Sequence, residues 1–148
     1  MHIFRYMDPR LVVSLKSESR DEALRQLVEE IHAAGKLSDL EEFFQAIMER
    51  EKIVSTGVGM GVAIPHAKLP SYDQFFIAIG ILQKPLDWDS LDRAPVRLIF
   101  MIGGPDDKQT EYLKILSSLT QVIKDDDKRK KILTLKDPKA MVELFKGI

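Results

Sequence analysis

The sequence predicts an α/β fold, a three-layer α/β/α sandwich in which a central mixed β-sheet carries helices on both faces. Amphipathic helical patterns stand at both ends of the 148-residue chain, and apolar strand-like runs lie between them. Two of these runs, "FFIAIGIL" and "VRLIFMI", are almost unbroken, which is typical of strands covered on both faces. Helices that precede and follow such strands are expected to cover them. The length and the absence of a linker predict a single domain over 1–148.

Two helices are predicted ahead of the sheet, each beginning at a capping box. Ser19 and the glutamate three residues later begin a helix over 20–34. Ser38 begins a second helix over 39–51 in the same way. Both segments place apolar residues at helical spacing, so each helix has one face to bury.

The rest of the chain supplies the strands and the remaining helices. Strands are predicted over 62–67, 75–82 and 96–102. Helices are predicted over 108–124 and 127–134, and a last one begins at Pro138 with Asp137 as its N-cap. The order of helices, strands and helices gives the sandwich.

Composition excludes several classes of function. A formal net charge of -1 gives no attraction to nucleic acid or to an anionic membrane. The apolar runs are too short to span a membrane, and the N-terminus lacks the apolar core of a secretory signal, so a cytoplasmic location is expected. The chain has no cysteine, which excludes disulfides, thiolate zinc sites and cysteine-based catalysis.

The stretch "STGVGMGVAIPHAKLP" at 55–70 is the most informative of the chain. It places Gly57, Gly59 and Gly61 ahead of an apolar run that ends at His66. The spacing matches neither a P-loop nor a dinucleotide fingerprint. The glycines either only turn the chain or shape a loop whose backbone N–H groups form an anion-binding concavity. Lys68, two residues beyond His66, alternates to the same side of a continuing strand.

His66 suits phosphoryl transfer. A neutral imidazole nitrogen is a competent nucleophile, and imidazole also leaves readily, so a phosphorylated histidine is a transfer intermediate. The alternative is a structural histidine at a strand end. His2, in a terminus expected to be loose, and His32, at the edge of the first helix, are expected to have no function. Asp87, Asp89, Asp92 and Glu111 match no known ligand pattern, so neither a metal nor another cofactor is predicted.

The residues "REKIVSTGVGMGVAIPHAK" at 50–68 closely resemble the signature of the type-2 enzyme IIA domain, the fructose–mannitol type, of the bacterial phosphoenolpyruvate phosphotransfer system. This family includes the nitrogen-regulatory IIA proteins. The segments "PLDWDSLDRAPVRLIFMIGGP" at 85–105 and "EYLKILSSL" at 111–119 are similar to later parts of the family pattern. The resemblance therefore extends over nearly the whole chain.

The resemblance implies a phosphocarrier. His66 would accept a phosphoryl group on Nε2 from a histidine phosphocarrier protein, and Arg50 would neutralise its charge. Thr56, the three glycines and Tyr112 would line the phosphoryl pocket. The acceptor would be a cysteine of a separate IIB domain, or phosphorylation would control a transporter or a kinase. Contact with a membrane would come through such partners only.

The sequence departs from the family pattern at several positions. Tyr112 stands where the family usually has a second histidine, and tyrosine can donate a hydrogen bond to phosphate but cannot act as a cation. Met60 replaces an asparagine and is expected to form part of an apolar docking rim, Ala67 replaces a glycine, and Arg93 replaces a turn glycine. A nitrogen-type regulatory role is favoured. The alternatives are a sugar-specific transport component and a non-catalytic interaction module that keeps the fold.

Overall fold

The computed structural model describes residues 2–148, and the three-layer sandwich predicted from the sequence is confirmed. The strands are β1 (Val12–Leu15), β2 (Gly57–Gly59), β3 (Val62–Ala63), β4 (His66–Lys68), β5 (Phe76–Leu86) and β6 (Val96–Gly104). The helices are α1 (Arg20–Ala33), α2 (Leu40–Ile53), α3 (Gln109–Lys124), α4 (Asp126–Thr134) and α5 (Pro138–Glu143). Two short 3-10 turns, Ile3–Tyr6 and Pro9–Leu11, precede β1.

The sheet is mixed, as predicted, and β6 organises it. The strand order is β1-β5-β6-β3-β2, and β4 pairs with β6 beyond the end of β3. The pairs β1–β5, β3–β6 and β4–β6 are parallel, whereas β5–β6 and β2–β3 are antiparallel. The candidate nucleophile His66 therefore lies on a short strand fixed to the central strand of the sheet.

Each face of the sheet has its own apolar core, which explains the unbroken apolar runs. On β6, Ile99 and Met101 pack with α1 and α2, while Phe100 and Ile102 pack with α3 and α5. Successive side chains of a strand point to opposite faces, so a strand covered on both sides is apolar at every position.

The predicted strand over 62–67 is wrong as one element. It is two strands, β3 and β4, separated by Ile64 and Pro65. Proline has no N–H to donate to a ladder, but the Pro65 carbonyl still accepts a hydrogen bond from the Ile102 amide at 2.9 Å. The interruption ends one strand and restarts the next at His66.

Two further expectations are corrected at helix and chain termini. The N-cap of α2 is Asp39, whose carboxylate accepts from the Glu42 amide at 3.1 Å, and not Ser38. The segment that follows His2 is not loose, because Ile3, in the 3-10 turn that His2 precedes, is fully buried. Among the helices of residues 2–148, none combines the length and the apolarity that a membrane crossing requires.

Candidate functional site

His66 is the first residue of β4, and its ring is held in one tautomer. Nδ1 lies 3.1 Å from the carbonyl oxygen of Ile64. Because a carbonyl oxygen only accepts hydrogen bonds, Nδ1 carries the proton and Nε2 keeps its lone pair. The half-buried ring therefore presents Nε2 as the nucleophilic nitrogen.

Arg50 lies directly against that nitrogen. It belongs to the last turn of α2, and its Nε donates to Nε2 of His66 at 3.2 Å. Its Nη1 donates to the carbonyl of Val54 at 2.9 Å, which satisfies a carbonyl just past the end of the helix. The guanidinium is thus anchored by the chain's own backbone and keeps donor capacity toward a group placed on Nε2.

The environment keeps the imidazole neutral. Burial lowers the pKa of His66 below its ordinary value, and the charges of Arg50 and Lys68 lower it further. The hydrogen bond to Ile64 and the charge of Glu51 act in the opposite direction, but the net shift is downward. At neutral pH the ring is unprotonated at Nε2, the state required of a nucleophile.

Tyr112, in the first turns of α3, forms a wall beside His66. Its ring centroid lies 5.6 Å from that of His66, and it stacks on Phe75 at 6.1 Å. The Nζ of Lys68 lies 4.1 Å from the Tyr112 ring centroid, so the side chains of His66 and Lys68 do share a side. Burial raises the pKa of the Tyr112 hydroxyl, and the charge of Arg50 partly offsets this.

Thr56 does not have a free hydroxyl to offer a ligand. It is 3% exposed, its Oγ1 donates to Glu51 at 2.6 Å and accepts from Trp88 Nε1 at 3.1 Å. Its amide donates to the same carboxylate at 3.0 Å. The buried triad of Glu51, Thr56 and Trp88 fixes the end of α2, and with it Arg50, to the loop before β6. Sequence reasoning missed Glu51 and Trp88, although Glu51 directly follows Arg50 in the motif.

The three glycines are explained by a β-hairpin and by a close neighbour. A Cβ on Gly57 would lie 2.2 Å from Oγ of Ser90, and one on Gly59 would lie 3.2 Å from Oδ2 of Asp92. Gly59 and Gly61 also take positive φ angles of 99° and 75°. The absence of a side chain at these positions therefore lets the loop after β5 pack closely against the hairpin of β2 and β3.

Three amides of the loop already have hydrogen-bond partners within the protein. The amides of Thr56, Gly57 and Met60 donate to Glu51, Ser55 and Asp92. Of the two interpretations of the glycine loop, these three amides favour the turn, because each already donates within the protein. Arg93 takes a φ of 63°, in the left-handed region that favours the glycine which the resemblance leads one to expect at this turn.

Exposed apolar side chains lie on the segments that precede β4 and on the loop after β5. They come from the end of α2, the hairpin and the loop after β5: Ile53 is 78% exposed, Leu91 is 80% exposed, and Val54, Val58 and Met60 are exposed to lesser extents. Of these, only Met60 was singled out from the sequence. Such exposure is typical of a surface that meets another protein.

The remaining candidates lie elsewhere. His2 and His32 are exposed and are not brought to His66 by any hydrogen bond or ring contact. Within residues 2–148, no group of three or more histidine, aspartate or glutamate side chains is arranged to hold a metal ion.

Comparison with known proteins gives one consistent family. The model described as "Phosphoenolpyruvate-dependent sugar phosphotransferase system, EIIA 2" matches residues 6–147. A nitrogen regulatory protein of Bradyrhizobium diazoefficiens is 34% identical over 137 residues, covering 91% of this chain and 88% of that protein. The fructose-specific EIIABC component of Bacillus subtilis is 33% identical over 133 residues, covering 90% of this chain and 21% of that protein. The crystal structure of IIA-Ntr from Neisseria meningitidis has a TM-score of 0.89 at 26% identity, covering 97% of this chain and 98% of that chain.

Proposed function

This chain belongs to the EIIA 2 family of the phosphoenolpyruvate-dependent sugar phosphotransferase system, and we propose that it carries a phosphoryl group on Nε2 of His66. The observation that supports this most is that both nitrogens of the His66 ring are held by hydrogen bonds. Nδ1 is committed to the Ile64 carbonyl, and Nε2 faces the Arg50 guanidinium. A nucleophile and the cation that would stabilise its product are thus in contact before any donor arrives.

The transfer is a displacement at phosphorus. The lone pair of His66 Nε2 attacks the phosphorus of a donor phosphohistidine, and the bond from phosphorus to the donor ring breaks. The electron pair of that bond returns to the donor imidazole, which takes up one proton from solvent. Nδ1 of His66 keeps its proton, which it donates to the Ile64 carbonyl. The phosphorylated ring therefore carries a positive charge, and it is a good leaving group in the next transfer.

The donor and acceptor are proteins. A histidine phosphocarrier protein supplies the phosphoryl group, and a IIB domain or a regulated transporter or kinase receives it or responds to it. The exposed apolar side chains of Ile53, Met60 and Leu91, at the end of α2, in the hairpin and in the loop after β5, suit docking of such partners. The chain acts as one domain over 1–148 in the cytoplasm, and a nitrogen-type regulatory role is favoured because the Bradyrhizobium relative of that name matches nearly end to end.

Phosphorylation with a matched histidine control tests this function. The chain is incubated with phosphoenolpyruvate, enzyme I and a histidine phosphocarrier protein, and its intact mass is measured. One acid-labile phosphoryl group is expected on the unaltered chain and on His32→Gln, which removes an exposed histidine of α1. None is expected on His66→Gln. A phosphoryl group that persists on His66→Gln would overturn the proposal.

Tyr112 favours a second candidate, a binding module that keeps the fold without phosphoryl traffic. The residue beside His66 is neutral, where the resemblance leads one to expect a second imidazole. If the unaltered chain takes up no phosphoryl group and Tyr112→His does, the module is the better description.

A further inference from the structure

Lys68 is a charged side chain beside the site that the proposed transfer does not yet use. It stands two residues after His66 on β4, and the residue between them, Ala67, packs into the core on the opposite face. His66 and Lys68 therefore emerge on the same face of the sheet, where the Tyr112 ring contacts both.

The ammonium group is held loosely. Nζ lies over the Tyr112 ring at 4.1 Å from its centroid and donates to Oε1 of Gln109 at 2.8 Å. Gln109 is exposed and neutral, and Lys68 makes no ion pair with a carboxylate anywhere in residues 2–148. A cation–π contact and one neutral hydrogen bond are weaker than a contact with a phosphoryl oxygen.

The site as described has one cationic side chain, Arg50, to hydrogen-bond the phosphoryl oxygens. A phosphoryl group brings close to two negative charges and three acceptor oxygens at neutral pH. The phosphorylated ring carries one positive charge but donates no hydrogen bond to those oxygens, because its Nδ1 proton is committed to Ile64. Arg50 beside Nε2 supplies a second positive charge and can donate to only part of the group. Tyr112 cannot supply another, but its ring face attracts an ammonium group. The charge of Lys68 already reaches His66, where it helps to lower the pKa of the ring.

We propose that Lys68 is the second cationic donor at the phosphorylated site, and that its ammonium group moves from Gln109 across the Tyr112 ring to a phosphoryl oxygen on His66. The inference rests on the proposed function. In this proposal the ring of Tyr112 holds the Lys68 ammonium group close to His66, since a tyrosine carries no positive charge of its own. Lysine suits this movement because its charge sits at the end of a flexible four-carbon stem.

The lifetime of the phosphorylated protein tests the role of Lys68. The chain, Lys68→Met, Lys68→Arg and the control Lys146→Met are loaded with phosphoramidate, a small donor that needs no carrier protein, and dephosphorylation is followed by intact mass. Lys146 is a matched control because its Nζ also lies over an aromatic ring, that of Phe4. Loss of one charge-assisted contact should shorten the lifetime in Lys68→Met by about tenfold or more. Lys68→Arg and Lys146→Met should match the unaltered chain.

The same variants also show whether the Lys68 charge acts on His66 before phosphorylation. An NMR titration of the His66 ring should give a higher pKa in Lys68→Met than in Lys146→Met, because one lowering charge is removed. Equal lifetimes in Lys68→Met and the unaltered chain would overturn the inference while leaving the proposed function intact. If phosphoramidate and the carrier protein both fail to load the unaltered chain, both proposals are overturned.

Discussion

The buried triad of Glu51, Thr56 and Trp88 makes a quantitative prediction about what holds Arg50 in place. The substitution Thr56→Val removes the hydroxyl and keeps the shape of the side chain. It takes away the donor to Glu51 at 2.6 Å and the acceptor for Trp88 Nε1 at 3.1 Å. The amide bond from residue 56 to the carboxylate remains. Two buried polar groups, one of them a carboxylate, each lose a partner.

The expected loss of stability is large for a change of this size. A hydrogen bond to a charged group is worth about 1.5–3 kcal/mol, and an unsatisfied buried donor costs a further ~1–3 kcal/mol. Allowing for some relaxation around Thr56, which is 3% exposed, we expect a loss of about 3 kcal/mol in the free energy of unfolding. For a chain of this length that corresponds to a melting temperature lower by about 6–12 °C.

The assay is chemical and thermal unfolding of Thr56→Val beside Thr120→Val. Thr120 is exposed on α3, where its Oγ1 donates to the Leu116 carbonyl at 2.8 Å, so the same substitution there should change stability by less than about 0.5 kcal/mol. Thr56→Ser keeps the hydroxyl and should retain most of the stability. Equal losses in Thr56→Val and Thr120→Val would refute the view that the triad fixes the end of α2.

The remaining predictions concern the glycine, the cation and the pH profile of the site. Gly57→Ala places a Cβ 2.2 Å from Oγ and 3.1 Å from Cα of Ser90. The free energy of unfolding should therefore fall by about 1–3 kcal/mol, and Ser90→Gly in the same chain should restore part of it. No loss would show that the loop can move freely. Arg50→Gln should slow phosphoryl uptake about a hundredfold or more in quenched time-course assays, and its melting temperature should not change. An unchanged rate would show that the guanidinium has no part in the mechanism. Because burial and the neighbouring cations hold the pKa of His66 below 6.5, uptake measured with the donor held constant should keep more than half of its plateau rate at pH 6.5. A midpoint at or above pH 6.5 would contradict the site description. Because the pKa of His66 is lower in the folded state, the folded state binds a proton at this ring less readily than the unfolded state does. The contribution of His66 to the free energy of unfolding should therefore fall as pH decreases from 6.5.

Local patterns predicted the helices and the long strands well because their causes are local. The capping box at Ser19 and the Asp137–Pro138 start both lie where predicted. At α2 the sequence offers Ser38 and Asp39 side by side, and the choice between them depends on how the chain enters the helix. β1 and β2 are three or four residues long and exist through pairing with β5 and β3, so their own sequence carries little signal.

The contacts of the candidate site were predictable where the motif is contiguous. His66 and Arg50 fall within one stretch of nineteen residues, 50–68, and they are in contact. The partners of Thr56 and Gly57 were not predictable, because Trp88 and Ser90 lie more than thirty residues away in a polar loop. Nor could the sequence show that Lys68 rests on Tyr112, since only the packing of α3 beside β4 brings them together.

The most direct test of the account is to find which atom carries the phosphoryl group. The chain, labelled with nitrogen-15 in its histidine rings, is phosphorylated and examined by NMR for coupling between phosphorus and the ring nitrogens. Because Nδ1 of His66 is committed to the Ile64 carbonyl and Nε2 faces Arg50, the account predicts coupling to Nε2 of His66. A phosphoryl group on Nδ1 of His66, or on a ring other than that of His66, would contradict it.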